Sequence, residues 1–317
     1  MSRVDPCAGS PGAATATATG NCSFPFINSV VCADNLGFMS KLPSEGCALI
    51  YADPPFNSKQ VLGPTKTSPH RFSDHHGTGV AGYLGFLRPR LAEMRRLLAE
   101  HGTLCVHLDW RSVHAVKLML DDLFRAENFL NEIIWSYRSG GRPSRWFPRK
   151  HDTLLLYAKH RGQHRFNRLR GGVYRTQDLK YTADGQPYKS TRNGRIAFHP
   201  DGPAIGDVWE IPILSTVSRE RTGYPTQKPE ALLERLILAS SDAGDLVADF
   251  FCGSGTTLAV AQRLGRAWVG CDENPGAVRI ASKRLGLIGA DGPGNSQDGK
   301  LRSRIGMAPG GKKKKTR

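Results

Sequence analysis

Residues 246–275 read LVADFFCGSGTTLAVAQRLGRAWVGCDENP. A short apolar run, Leu246 to Phe250, leads through a glycine-rich turn into a helical pattern, Thr256 to Leu264. A second apolar run, Ala267 to Cys271, stops at Asp272, and another helical pattern follows from Pro275 to Leu285. Short strands joined to helices in this alternation predict parallel pairing. Working outward, Pro229 to Ser240 predicts a helix, and Cys47 to Ala52 is a compact buried strand ending at Asp53. Leu84 to Glu100 places Leu87, Leu91, Met94, Leu97 and Leu98 at helical spacing, with a stop near Gly102. Thr103 to Leu108 predicts a strand, Val113 to Phe124 a helix, and Ile133 to Tyr137 and Thr153 to Tyr157 two further strands. The pattern is that of an α/β protein with a doubly wound, mostly parallel sheet.

The rhythm fails between His160 and Asp207, where Gly, Arg, Tyr and polar residues dominate. The chain therefore divides into a low-complexity, disordered N-terminal tail (1–22), a first half (23–159), an insertion (160–208), a second half (209–288) and a disordered basic tail (289–317). The 317 residues carry 44 Lys and Arg against 28 Asp and Glu, a formal net charge of +16. Four successive lysines, Lys312 to Lys315, account for part of it, and twelve Lys and Arg between Arg138 and Lys180 face only Asp152 and Asp178. Such charge predicts a polyanionic partner, since phosphate contacts by Lys and Arg supply most nonspecific nucleic-acid affinity. No apolar run reaches the ~18 residues of a membrane helix, and no secretory leader is evident. The cysteines, at 7, 22, 32, 47, 105, 252 and 271, show no CxxC pairing, which argues against a zinc ribbon or disulfide framework and for a cytoplasmic protein.

Two motifs carry chemistry. In Asp249-Phe-Phe-Cys-Gly-Ser-Gly-Thr-Thr257, glycines let the backbone approach a ligand at a helix N-terminus, beyond the carboxyl end of a strand. Asp272, one strand later, stands where a ribose diol would be held. The turn has neither GxGxxG spacing nor GK[ST], which disfavours NAD and ATP. In Asp53-Pro-Pro-Phe56, two prolines stiffen the chain and leave carbonyls free, so a carboxylate and a carbonyl together can receive an NH₂ group while Phe56 offers a stacking face.

Together these residues resemble the exocyclic-amino DNA methyltransferases. Asp53, Pro54, Pro55 and Phe56 look like the catalytic [DNS]PP[YFW] motif, and Asp249 to Thr257 resembles the S-adenosylmethionine-binding FxGxG motif. Tyr224-Pro-Thr-Gln-Lys-Pro229 is similar to the segment preceding it in that family. The catalytic motif comes first in the chain, the circularly permuted order of the beta class, whose target-recognition region lies between the motifs. The resemblance covers about residues 27–286. It implies a Rossmann-like methyltransferase fold, S-adenosylmethionine as cofactor with no metal, and double-stranded DNA as partner. It further implies that Asp34 meets the cofactor adenine, that Asp272 binds its ribose, that Asp249, Phe251, Gly253 and Gly255 shape the methionine pocket, and that Thr226, Gln227 and Lys228 close it. Trp135 to Lys150 looks like the DNA-facing loop, with Arg138, Arg142, Arg145, Trp146, Arg149 and Lys150 as contacts and recognition assigned to Arg165 to Arg175.

Asp at the first motif position favours adenine N6 over cytosine N4, which stays open as the alternative; the permuted order and Arg-rich insertion argue against a protein-glutamine methyltransferase, and the two intact sites against an inactive DNA-binding module. A homodimer, a cognate restriction endonuclease in a restriction–modification pair, and a nucleoid location in a bacterium are compatible with the resemblance. Asp74-His75-His76 is read as a loop rather than a metal site, and Cys252, lacking a His base, as no nucleophile. His151-Asp152 is assigned to packing, because adjacent strand residues face opposite sides.

Overall fold

The computed structural model describes residues 24–56, 61–62, 72–73, 79–138, 141–174 and 176–288, so the two tails, Asp74 to His76 and Arg175 lie outside the described residues. The first half contains β1 (Ser29–Cys32), α1 (Asn35–Met39), β2 (Cys47–Ala52), β3 (Val61–Leu62), β4 (Phe72–Ser73), α2 (Gly79–Leu97), β5 (Leu98–Leu108), α3 (Val113–Phe124), β6 (Phe129–Ser136) and β7 (His151–Ala158). Then come β8 (Leu179–Tyr181), β9 (Pro187–Thr191), β10 (Gly194–Ala197) and β11 (Val208–Glu210). The chain continues with α4 (Glu230–Ser240), β12 (Leu246–Asp249), α5 (Thr256–Arg263), β13 (Ala267–Asp272) and α6 (Pro275–Arg284).

The main sheet has eight strands in the order β1-β13-β12-β2-β5-β7-β6-β11. Every neighbouring pair is parallel except those that β7 makes with β5 and β6. The connection from β6 to β7 has no helix among its described residues, and the two strands pair antiparallel as a hairpin. Side chains alternate between two cores. Ile50, Ala52, Ala248 and Val269 pack with α1, α2 and α3 on one face, and Leu49, Tyr51, Val247 and Trp268 with α4, α5 and α6 on the other. With both faces covered, β2 is buried along its whole length, as its unbroken apolar run requires.

The structure corrects one boundary. Helix α2 ends at Leu97, and Leu98 to Leu108 is a single strand, because Leu98 already pairs with Cys47 of β2. Gly102 is no helix stop; a Cβ there would lie 2.7 Å from the Cys47 carbonyl oxygen, so glycine permits a close approach of backbones. Within the insertion, β8, β9 and β10 form a small antiparallel sheet that no sequence pattern indicated. Its strands are largely exposed and lack an apolar face. The start of the insertion is tied to the body by Asn167, whose Nδ2 donates to the Leu238 and Ser241 carbonyls and to Asp242 Oδ1. Among the described residues no helix is long and apolar enough to cross a membrane.

Strands β12 and β2 are adjacent, with Asp249 beside Tyr51. From β12 the sheet winds outward through β13, and from β2 it winds the opposite way through β5. The two motifs, far apart in the chain, therefore leave the sheet side by side at its switch point, where folds of this class bind ligands.

Candidate active site

The turn after β12 is held together by its own carboxylates. Asp249 accepts from the Phe251 amide (3.0 Å) and the Thr257 hydroxyl (2.6 Å), and Asp272 accepts from the amides of Gly253 and Asn274 (2.9 Å each). Gly255 sits at φ 72°, and a Cβ there would come within 2.8 Å of the Ala281 Cβ, so the turn meets α6 only because the residue is glycine. Burial pushes the Asp249 carboxyl up to about 7, with the charges of Asp53 and Asp272 adding to the shift and the two hydrogen bonds opposing it. Burial likewise raises Asp272 to about 6.

A cavity opens above this turn, lined among others by Asp34, Phe86, Thr226, Phe251, Gly253 and Asp272. Asp34 caps α1 through the Gly37 amide (2.9 Å) and is paired with Arg90 Nη2 (2.7 Å). Arg90 also donates to Asn35 Oδ1 (2.7 Å) and to the Phe86 carbonyl (3.0 Å), and its guanidinium lies 3.9 Å from the Phe86 ring centre. Sequence reasoning missed Arg90. Its signal was a charge on the apolar stripe of α2, three residues after Leu87 and four before Met94.

Asp53, at the end of β2, marks the other side of the cavity. Its Oδ2 is 2.6 Å from Lys228 Nζ, and both side chains are more than four-fifths buried. Its Oδ1 lies 3.8 Å from Nδ1 of His107, a fully buried residue of β5. Tyr51 Oη is 2.7 Å from the same Nδ1, and Asp152 Oδ2 is 3.3 Å from His107 Nε2. The Tyr137 hydroxyl donates to Asp152 Oδ1 (3.2 Å). Burial alone would raise the Asp152 carboxyl, but the hydrogen bond and charge of His107, with Lys228 and Tyr137, hold it below the usual carboxylate range. Pro54 is buried and Phe56 half-buried, its ring centre 5.7 Å from that of His107 and 5.2 Å from Lys228 Nζ. A second cavity, lined by Trp135, Tyr137, Asp152 and Leu214, shares Tyr224, Thr226, Gln227 and Lys228 with the first.

Lys228 thus stands on the Asp53 side, as its counter-ion, while lining both cavities. The Gln227 side chain is occupied by its own loop, accepting from Thr222 N and Oγ1 (2.7 Å each) and donating to the Glu220 carbonyl (2.6 Å). Asp152 does more than pack, whereas its neighbour His151 is exposed on the opposite face. His107 was overlooked because one histidine within the apolar run Leu104 to Leu108 reads as core; only the partners across β2 and β7 give it meaning.

Arg138, Arg142, Arg145, Trp146, Arg149 and Lys150 lie on the β6–β7 connection, whose base is closed by the Tyr137 amide donating to the Lys150 carbonyl (2.9 Å). All but Lys150 are exposed. The Arg149 guanidinium stacks 3.8 Å from the ring centre of Trp110, a residue the sequence did not single out. Arg165, expected among the recognition residues, is instead ion-paired with Asp242 and with Asp245 (3.6 Å), so it anchors the insertion. Arg170 donates to the Gly202 carbonyl (3.3 Å).

The sequence profile described as DNA methylase matches residues 47–283. A type II methyltransferase of Haemophilus parainfluenzae, M.HpaI, is 32% identical over 257 residues, 81% of this chain and 73% of that protein. The DNA adenine methyltransferase YhdJ of Escherichia coli (strain K12) is 30% identical over 264 residues, 81% of this chain and 82% of YhdJ. Among solved structures, the PvuII DNA methyltransferase (cytosine-N4-specific) matches 88% of this chain and 91% of its own with a TM-score of 0.55 at 16% identity. The M1.HpyAVI–SAM complex matches 81% and 98% with a TM-score of 0.54 at 19% identity.

Proposed function

The chain belongs to the DNA methylase family, and from that premise we propose that it transfers the methyl group of S-adenosylmethionine to the N6 amine of adenine in double-stranded DNA. One observation carries the reading: Asp53 and the glycine turn, remote in sequence, line the same cavity, whose Tyr224, Thr226, Gln227 and Lys228 also line a second cavity. The name of the Escherichia coli relative supports adenine, as does Asp rather than Ser at position 53.

The first cavity suits the cofactor. Phe86 and Phe251 offer apolar faces, and Asp34, just after β1, and Asp272, at the end of the neighbouring β13, offer carboxylate acceptors beside the turn at Gly253. When bound, S-adenosylmethionine supplies an electrophilic methyl group on a sulfonium. The protein's part is positioning. An aromatic amine has its lone pair delocalised into the ring. Hydrogen bonds from its N–H groups to Asp53 and to the Pro54 carbonyl localise that pair and aim it at the methyl carbon. Lys228, ion-paired at 2.6 Å, holds the Asp53 carboxylate in place. The Tyr51–His107–Asp152 chain fixes the floor beneath it, and Phe56 stacks on the extruded base. The methylated amine gives up a proton to restore neutrality; an ordinary carboxylate is a weak base, so the first role of Asp53 is to hold the amine, and the proton passes to it or to solvent.

The type II description of the Haemophilus relative supports a partner endonuclease reading the same sequence, with the methyl mark protecting host sites. To test the main proposal, a randomised duplex library is incubated with the protein and methyl-labelled cofactor, then digested to nucleosides. Label in N6-methyl-2′-deoxyadenosine is expected. Label in N4-methylcytosine would reassign the target base, and no label in DNA would refute the reading.

A further inference from the structure

Phe147 is 94% exposed, with Trp146 beside it 59% exposed, on a connection otherwise rich in arginine. A bare aromatic ring among cations is costly in water and suits a surface that is both anionic and stacked. The described part of the connection is also anchored. Its base is pinned between β6 and β7, and Arg149 lies between the rings of Trp110 (3.8 Å) and Trp146 (6.0 Å). Pro148 favours an extended backbone at Phe147. The same hairpin carries Tyr137 and Asp152 at its base, hydrogen-bonded to each other in the wall of the second cavity.

Building on the functional reading above, we propose that the β6–β7 hairpin is the base-flipping device. Phe147 enters the base stack where the target nucleotide leaves it, and the second cavity at the hairpin's root receives the extruded base. A base extruded from a duplex leaves an unstacked gap, and apolar side chains are the groups proteins insert between base steps. Arg142 and Arg145, exposed and without an ion-pair partner among the described residues, supply cations for backbone phosphates near the wedge. Cation and ring then act on one duplex: the cations dock it, and the ring keeps the base out.

The test uses a duplex containing a site mapped by methylation of the randomised library, and the same duplex with the base opposite the target removed. Loss of the paired base makes extrusion easy, so a wedge is needed only on the intact duplex. Phe147→Ala is expected to lower kcat/KM by about tenfold to a hundredfold on the intact duplex and to come within about threefold of wild type on the abasic one. Phe147→Leu, which keeps an apolar wedge, is expected to retain most activity on both. Wild-type rates for Phe147→Ala on the intact duplex, or an equal loss on both, would overturn the proposal. An equal loss accompanied by dissociation of an oligomer would place Phe147 in a contact between copies of the chain instead. If the wild-type protein methylates neither duplex, the functional reading itself fails, a result distinct from either outcome for the variant.

Discussion

The glycine turn after β12 and the hairpin between β6 and β7 solve opposite problems. In the turn almost every polar group is spent internally: Asp249 and Asp272 satisfy four donors of their own neighbourhood, and both carboxyls are raised by burial. In the hairpin the arginines and aromatic rings point to solvent. On the proposed reading, a small ligand is met by a cavity whose turn is tied down by its own hydrogen bonds. On the same reading a duplex, long, anionic and in need of deformation, is met by exposed charge and one apolar tip. Preorganisation and exposure thus mark the two kinds of partner.

If this contrast is right, the turn should fail by shape and the hairpin by salt. Of the binding effects, the largest is expected for Gly255→Val. It combines a left-handed backbone with a side chain driven against Ala281, at a cost of about 2–4 kcal/mol. Calorimetric titration should show cofactor affinity down by one to two orders of magnitude, with DNA binding little changed; wild-type cofactor affinity would mean the turn is not rigid. Arg145→Ala should act smaller and elsewhere. DNA affinity should fall by about 1 kcal/mol on all sequences and the salt slope by about one unit, with cofactor affinity constant. A change in sequence preference with an unaltered slope would make Arg145 a base reader rather than a phosphate contact.

The smallest effect is a pH dependence. A carboxyl whose folded value is raised binds protons more tightly in the native than in the unfolded state. Its contribution to stability is therefore present at acid pH and is lost as pH rises from about 4, the ordinary value, towards about 7 for Asp249. Asp249→Asn removes that titration, so the difference between melting temperatures at pH 5 and pH 8 should shift by a few degrees relative to wild type, in favour of the variant at pH 8. A variant curve parallel to that of wild type would mean that Asp249 is not the buried acid described here.

The frame of the fold was readable because its signals are local. The apolar run at Cys47 to Ala52, the spacing in Val113 to Phe124 and the turn at Gly253 to Gly255 each sit within one element, and the structure places strand, helix and turn there. The two motifs were likewise legible as short strings. What escaped depends on distance in the chain. Leu98 was assigned to a helix because its strand partner, Cys47, is remote. His107 had no visible role until Tyr51, Asp53 and Asp152 surrounded it. Arg165 looked like the other arginines of the insertion, and only Asp242 and Asp245, across the α4–β12 turn, distinguish it. The small sheet β8–β10 has no apolar period to read.

The central claim is a division of labour at the switch point, with the glycine turn holding the cofactor and Asp53 holding the amine. Asp53→Asn preserves size and an acceptor oxygen but removes the charge that receives the amine and pairs with Lys228. Measured side by side, methyl transfer to duplex DNA should fall by at least about a thousandfold, while the cofactor Kd stays within about threefold of wild type. Turnover near the wild-type rate, or a cofactor Kd that weakens in step with turnover, would contradict the account.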